Sequence, residues 1–248
     1  KMLVGGVCGS DLASYRGQSA YVSYPRTIGH EFAAQVVEVE ENEYGIRPGM
    51  IVTGNPYFNC GSCYSCRRGF VNACVHNETM GVQREGAFSE YFTMPIERVY
   101  DGQGIPPKEL ALIEPFCISY HGVSRANVQQ GDKVLVFGAG AIGILSAVAA
   151  RSFGAKAYIT DIAADKVELA VREFHLDGGF VNRSEEDLIR FTREITGDDG
   201  FDVTVEAVGA PSTFLNCVDA AASRGRVVVI GVAKHSADFN FLALQRKE

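Results

Sequence analysis

Four cysteines, Cys60, Cys63, Cys66 and Cys74, fall within fifteen positions as C-x2-C-x2-C-x7-C. Four thiolates at such spacing can close a tetrahedral shell around zinc, and a closed shell leaves no room for substrate, so a site here is structural. An iron–sulfur cluster or unligated thiols are the alternative chemistries. A second group differs in type: Cys8, His30, Glu31 and Glu114. One thiolate, one imidazole and one or two carboxylates suit a catalytic zinc that keeps a position for water or substrate. Taken singly, each of these residues also reads as structural, and Gly29-His30-Glu31 is a short string. With both groups metallated, the chain carries two zinc ions. Cys117 and Cys217 have no such partners and read as small buried apolar residues.

A third group binds rather than reacts. Gly138-Ala139-Gly140-Ala141-Ile142-Gly143 is a G-x-G-x-x-G string placed between an apolar run, Lys133 to Phe137, and the start of an apolar helix. In that setting Gly138 permits the turn, Gly140 lets the backbone approach a pyrophosphate, and Gly143 lets the helix lie close to the strand. The helix N-terminus at Ala141 and Ile142 offers N–H groups to phosphate oxygens. Asp161 ends the next apolar run, 21 residues after Gly140, where a carboxylate accepts hydrogen bonds from ribose hydroxyls and repels a 2′-phosphate. This favours NAD over NADP. Two features complicate it: Asp161 could simply cap a helix starting near Ala163, and Lys166 could tolerate a phosphate.

The elements that must carry these groups change rhythm along the chain. Residues 1 to 115 are irregular, with short β-like runs at Ala33 to Val39 and Met50 to Thr53, a turn at Ile46-Arg47-Pro48-Gly49, and little helical periodicity outside Cys63 to Gly69. This half is expected to be a β-rich, barrel-like domain. Residues 116 to 248 alternate strands and helices. Strands are expected at Lys133 to Phe137, Ala157 to Asp161, Asp202 to Glu206 and Arg226 to Ile230, with a weak one at Phe180-Val181. Helices are expected at Ala141 to Phe153 and Ala163 to Phe174, and Ser184 with Asp187 resembles a capping box that opens another. Such alternation implies a doubly wound parallel sheet, an α/β nucleotide-binding (Rossmann) domain.

The net charge of -7 argues against nucleic-acid or anionic-membrane partners, both of which need a basic patch. The acidic run from Glu38 to Glu43 reads as a solvated turn. No apolar run reaches the ~18 residues of a spanning helix. Clustered cysteines without a secretory leader point to a reducing, cytoplasmic setting. Lys1 to Val4 reads as mid-strand, and the α/β pattern is still running at Arg246 to Glu248, so the span is expected to be internal to a longer protein.

The order of these strings is itself informative. Gly6-Val7-Cys8-Gly9-Ser10-Asp11, Ile28-Gly29-His30-Glu31-Phe32, the four-cysteine loop, Ile113-Glu114-Pro115-Phe116 and the glycine-rich turn follow one another as in the zinc-dependent medium-chain dehydrogenases, which the chain resembles over nearly all its length. The resemblance is nearest to the sorbitol, L-galactonate and threonine dehydrogenase branch. It implies a GroES-like catalytic domain followed by a Rossmann domain, and a homodimer or homotetramer. It also implies that zinc and NAD interconvert a secondary alcohol of a polyol or sugar acid and its ketone. By this likeness Cys8 and His30 ligate the catalytic zinc, Glu31 joins them in polyol enzymes, Glu114 binds in other states or holds the water, and Ser10 passes the alcohol proton outward. The relay histidine three residues after that hydroxyl is replaced here by Ala13. Oxidation of an amino alcohol such as threonine is the alternative within the family, a zinc-free quinone reductase would lack both cysteine-bearing groups, and a non-catalytic NAD-binding protein is the alternative outside enzymes.

Overall fold

The computed structural model describes every residue of the 248 except Lys234. The chain divides into two compact units, Lys1–Glu114 and Pro115–Glu248.

The first unit holds strands β1 (Met2–Gly6), β2 (Glu31–Gln35), β3 (Ile51–Gly54), β4 (Tyr57–Phe58), β5 (Glu78–Thr79) and β6 (Val99–Asp101). Four of them form an antiparallel sheet in the order β1-β2-β3-β6, and β4 and β5 pair as a separate ribbon. Phe32, Val52, Met80 and Ala87 are buried on one side of this sheet, while Ala33, Leu110 and Ala111 are buried in a second cluster. Because β2 buries successive residues, polar alternation does not mark it. That is why the sequence pattern shifts its start from Glu31 to Ala33 and its end from Gln35 to Val39. Met50 to Thr53 likewise moves one residue on, to Ile51–Gly54.

Three short helices, α1 (Gly9–Tyr15), α2 (Tyr64–Arg67) and α3 (Pro107–Leu110), complete the unit. Helix α1 escapes a periodicity search because it has only seven residues. It is fixed by its cap: the Cys8 N–H donates to Asp11 Oδ2 at 2.9 Å.

Helix α4 (Ile113–Arg125) runs over the boundary between the units and accepts Pro115 in its first turn, where no N–H is needed. It carries Phe116 against a core cluster, and its neighbour Cys117 is exposed, which corrects the buried position expected for it. Successive helical residues point in different directions, so one packed position does not bury the next.

The second unit alternates β7 (Lys133–Phe137), α5 (Ala141–Ser152), β8 (Lys156–Asp161), α6 (Ala164–Glu173), β9 (Gly178–Val181), α7 (Glu185–Thr196), β10 (Phe201–Glu206), α8 (Pro211–Ala220), β11 (Ala221–Val229) and α9 (Leu242–Gln245). All five strands pair in parallel in the order β11-β10-β7-β8-β9. Both faces are covered. Val134, Val136, Ile159, Val203 and Val205 pack into one cluster, whereas Leu135, Phe137, Tyr158 and Phe201 pack with Phe191 into another. Fully burying each such side chain contributes roughly 1.5–3 kcal/mol. Ser184 caps α7 by accepting from the Asp187 N–H at 3.2 Å, and the Asp187 carboxylate reaches back to the N–H of Arg183 at 3.2 Å. Among the described residues, no helix is long and apolar enough to cross a membrane.

The chain leaves β7 toward β8 on one side and later fills β10 and β11 on the other. The sheet therefore switches direction between β7 and β10, and the carboxyl ends of those strands are where such sheets bind ligands. The glycine-rich turn lies at that end of β7.

Candidate active site

Strand register explains how distant residues meet. β1 and β2 pair with Gly6 opposite Glu31, which brings Cys8, just past β1, beside His30, just before β2. The Glu31 carboxylate folds over Gly6 so closely that a Cβ there would lie 2.2 Å from Oε2. Gly29 adopts φ +103, with the Phe88 ring packed where a side chain would go, so the turn into His30 is held from both sides. The result is a group in which one atom each of Cys8, His30 and Glu31 lies within 4.8 Å of the others.

Asp11 organises this group, although sequence reasoning gave it no role. It is 2% exposed, accepts from the N–H groups of Cys8 and Gly29 at 2.9 and 3.0 Å, and faces His30 Nδ1 at 3.6 Å. The buried Nδ1 makes no hydrogen bond, since 3.6 Å is too long for one. An ion ligated by Nε2 would draw Nδ1–H toward the carboxylate, the outer partner that metal-bound histidines commonly have. The acidic position three residues after the cap Cys8 was the available signal.

The electrostatics are those of a site short of positive charge. Burial works to lower the His30 pKa, yet the adjacent Cys8 thiolate and the Asp11 carboxylate push it up to about 9. Burial also opposes ionisation of Cys8, but hydrogen bonds from His30 and Ser10 outweigh it and bring the thiol below its ordinary value. Glu31 is raised by burial and by Glu114, and Glu114 is raised by burial. Sulfur, nitrogen and oxygen donors converging beside the further buried carboxylate of Asp11 fit a divalent zinc that retains an open position. Ser10 is exposed in the first turn of α1, beside Cys8, and Ala13 follows within the same helix.

Glu114 is buried but stands outside that three-residue group; its Oε1 accepts from the Tyr57 hydroxyl. Tyr57 has no sequence signature, because its importance comes only from tertiary approach.

Cys60, Cys63, Cys66 and Cys74 converge in the same way, with one sulfur each within 4.8 Å of the others. The N–H groups of Cys60 and Cys63 donate to the sulfurs of Cys74 and Cys60, both at 3.3 Å. The backbone N–H and hydroxyl of Ser62 draw the Cys60 thiol down to about 5. Burial and the neighbouring thiols push Cys66 the other way, up to about 11, so it is the convergence of four sulfurs, with N–H donors at two of them, that fits a closed zinc shell.

In the second unit Gly138 adopts φ +105, a conformation that disfavours any side chain. A Cβ on Gly143 would lie 1.7 Å from the Gly138 carbonyl oxygen, so α5 can approach the turn only without one. At Gly140 a Cβ would meet nothing within 4 Å, which leaves the turn open on the side a pyrophosphate would approach. Asp161 Oδ2 accepts from the Ala139 N–H at 2.8 Å and Oδ1 from the Ala163 N–H at 3.0 Å. It thus ties the turn to β8 and caps the approach to α6, and each oxygen keeps a lone pair for a further donor. Lys166 is exposed on the first turn of α6.

Residues 1–106 match the family model for the alcohol dehydrogenase GroES-like domain, and residues 141–248 match that for zinc-binding dehydrogenases. The chain is 33% identical to an L-galactonate-5-dehydrogenase of Escherichia coli over 98% of its length and 71% of the relative's. It is 32% identical to a sorbitol dehydrogenase of Halalkalibacterium halodurans, again over 98% and 71%. Among solved structures, a zinc-binding dehydrogenase from Sinorhizobium meliloti bound to NADP superposes with a TM-score of 0.89 at 28% identity, covering 100% of this chain and 73% of the other.

Proposed function

Because the chain belongs to the zinc-dependent medium-chain dehydrogenases, an oxidoreductase family, we propose that it interconverts a secondary alcohol of a polyol or sugar acid and the corresponding ketone, using NAD(H) and two zinc ions per chain. The observation that carries this reading is the convergence of Cys8, His30 and Glu31 within 4.8 Å, with His30 and Glu31 buried.

Zinc held there supplies Lewis acidity that lowers the pKa of a substrate hydroxyl, and NAD supplies the hydride acceptor. The chain's own residues do the rest. Cys8, His30 and Glu31 would hold the ion, and Asp11, which fixes the turn at Gly29 and faces Nδ1, would orient His30 once the ion is bound. Ser10 Oγ, exposed beside Cys8, accepts the alcohol proton and passes it to solvent, with no imidazole at Ala13 to continue the relay. Gly138, Gly140 and Gly143, with the N–H groups at Ala141 and Ile142, receive the pyrophosphate. Cys60, Cys63, Cys66 and Cys74 hold the second, structural ion.

A carboxylate ligand in place of a second thiolate makes the pocket more polar. A pocket that pairs with neighbouring hydroxyls rejects substrates that lack them. The likeness to the L-galactonate and sorbitol enzymes supports the same substrate class. Steady-state kinetics with NAD across sugar alcohols, sugar acids, threonine and ethanol test it. The highest kcat/KM is expected on a sugar alcohol or sugar acid. If ethanol or threonine ranks first, with polyols and sugar acids near background, the substrate class is wrong.

Cofactor preference is assigned to Asp161. Its free lone pairs would accept from the ribose hydroxyls, and its charge would repel a 2′-phosphate. Asp161→Ser is expected to move the ratio of NADP to NAD efficiencies up by about tenfold, the equivalent of one charge-assisted hydrogen bond. A wild type that already prefers NADP would mean that Lys166 governs the choice instead.

A further inference from the structure

Glu114 is an unusual carboxylate. It is buried, and its neighbour Ile113 packs with Val4 of β1 and Ala33 of β2, the strands that bring Cys8 and Glu31 together, yet none of its oxygens belongs to the ligand group that Cys8, His30 and Glu31 form. Its Oε1 is engaged by the Tyr57 hydroxyl. We propose that Tyr57 is a positioning residue: by donating to Glu114 Oε1 it holds Glu114 out of the group formed by Cys8, His30 and Glu31, and so keeps one coordination position open for substrate. The proposal rests on the zinc reading above.

Tyr57 is suited to this because its own placement does not depend on Glu114. Its N–H donates to Asn55 Oδ1 at 3.0 Å, and its carbonyl accepts from Arg98 Nη1 at 2.6 Å. It pairs with Thr79 across the β4–β5 ribbon. The other arm of the same guanidinium holds Asn59 Oδ1 at 2.7 Å. With the backbone fixed at these points, the phenol reaches Glu114 from a rigid base. The bond ties the Glu114 carboxylate to the ribbon through Oε1, so moving it onto the ion would cost that bond. While the phenol holds it, the carboxylate is the weaker ligand. Released, Glu114 would give the ion a second carboxylate, a tighter site and no vacant position.

The test titrates the exchangeable site with Co2+, with zinc left in the four-cysteine site. The readouts are chelator competition and the visible d–d absorption of the bound Co2+. Tyr57→Phe keeps the ring and removes only the hydroxyl. It is expected to bind Co2+ about tenfold tighter and to change the d–d spectrum, the worth of one hydrogen bond to a charged group. Adding Glu114→Gln to Tyr57→Phe should remove the gain. Glu114→Gln alone should lower Co2+ affinity only modestly, by the loss of one nearby charge rather than of a ligand, a readout that does not depend on how Tyr57→Phe folds. Unchanged affinity in Tyr57→Phe, a gain that survives Glu114→Gln, or a large loss in Glu114→Gln alone would each overturn the proposal while leaving the zinc reading intact. A wild type that takes up no Co2+ at this site would overturn both.

Discussion

Replacing His30 with alanine is expected to lower kcat/KM by about a thousandfold or more, because Lewis-acid assistance is worth several kcal/mol and each 1.36 kcal/mol is tenfold in rate. Zinc content should fall by one ion per chain. The imidazole is one of three donors within 4.8 Å, and a thiolate with one carboxylate is a poor site in its absence. The fold should survive. His30 precedes β2 and contributes little to the apolar clusters of the first unit, which gather around Phe32, Val52 and Leu110. The turn that carries it is held independently by Phe88 and by the bond from the Gly29 N–H to Asp11. Kinetics, elemental analysis and a melting curve on the same preparation decide the matter. Retained turnover with one fewer zinc would remove the metal from the chemistry, and a collapsed melt would show that His30 is structural.

Cys63→Ser should act in the opposite sense, on stability more than on chemistry. From Cys60 to Thr79 no apolar side chain is buried, with Phe70, Val71 and Val75 exposed, so this stretch has no apolar core of its own. What orders it is the convergence of four sulfurs and the N–H groups that point at them. Structural zinc in such loops contributes folding energy directly, and its loss is expected to lower the melting midpoint of the first unit by roughly 10 °C or more. Limited proteolysis should then cut between residues 60 and 79. Binding of the proposed NAD at the glycine-rich turn of the second unit should be largely kept. A melting curve and a protease pattern identical to wild type would show that the four cysteines are not a structural metal site.

The two ligand groups differ in how far the sequence exposed them, and the reason is distance along the chain. Cys60, Cys63, Cys66 and Cys74 belong to one loop, so their spacing nearly determines their geometry. The glycine-rich turn is equally local: what it requires is the absence of side chains at Gly138 and Gly143, and absence is visible in a sequence. Cys8, His30 and Glu31 are brought together only by the pairing of Gly6 with Glu31, which no local pattern specifies. It was the order of strings shared with a family that grouped them. Tyr57 remained silent for the same reason, since it acts across the fold on Glu114, whereas Asp11 carried a local signal for its cap on Cys8 but none for its reach to Gly29 and His30. The parallel sheet was legible because its strands are continuous apolar runs. Strand β2 was displaced because it opens on a charged residue, Glu31, that faces the site.

The β4–β5 ribbon has a bearing on how this protein could change. Tyr57 pairs with Thr79 and Phe58 with Glu78, so the chain leaves and re-enters the ribbon at adjacent points with the whole four-cysteine segment in between. That segment is a lobe tied off at its own neck. Extending it moves neither strand, and for a flexible loop each doubling of length costs only about 0.6 kcal/mol in closure entropy. Natural variation or a designer can therefore lengthen, shorten or exchange the lobe as a cassette. The pairing of Tyr57, and with it the reach of its hydroxyl to Glu114, is the part that any exchange must preserve.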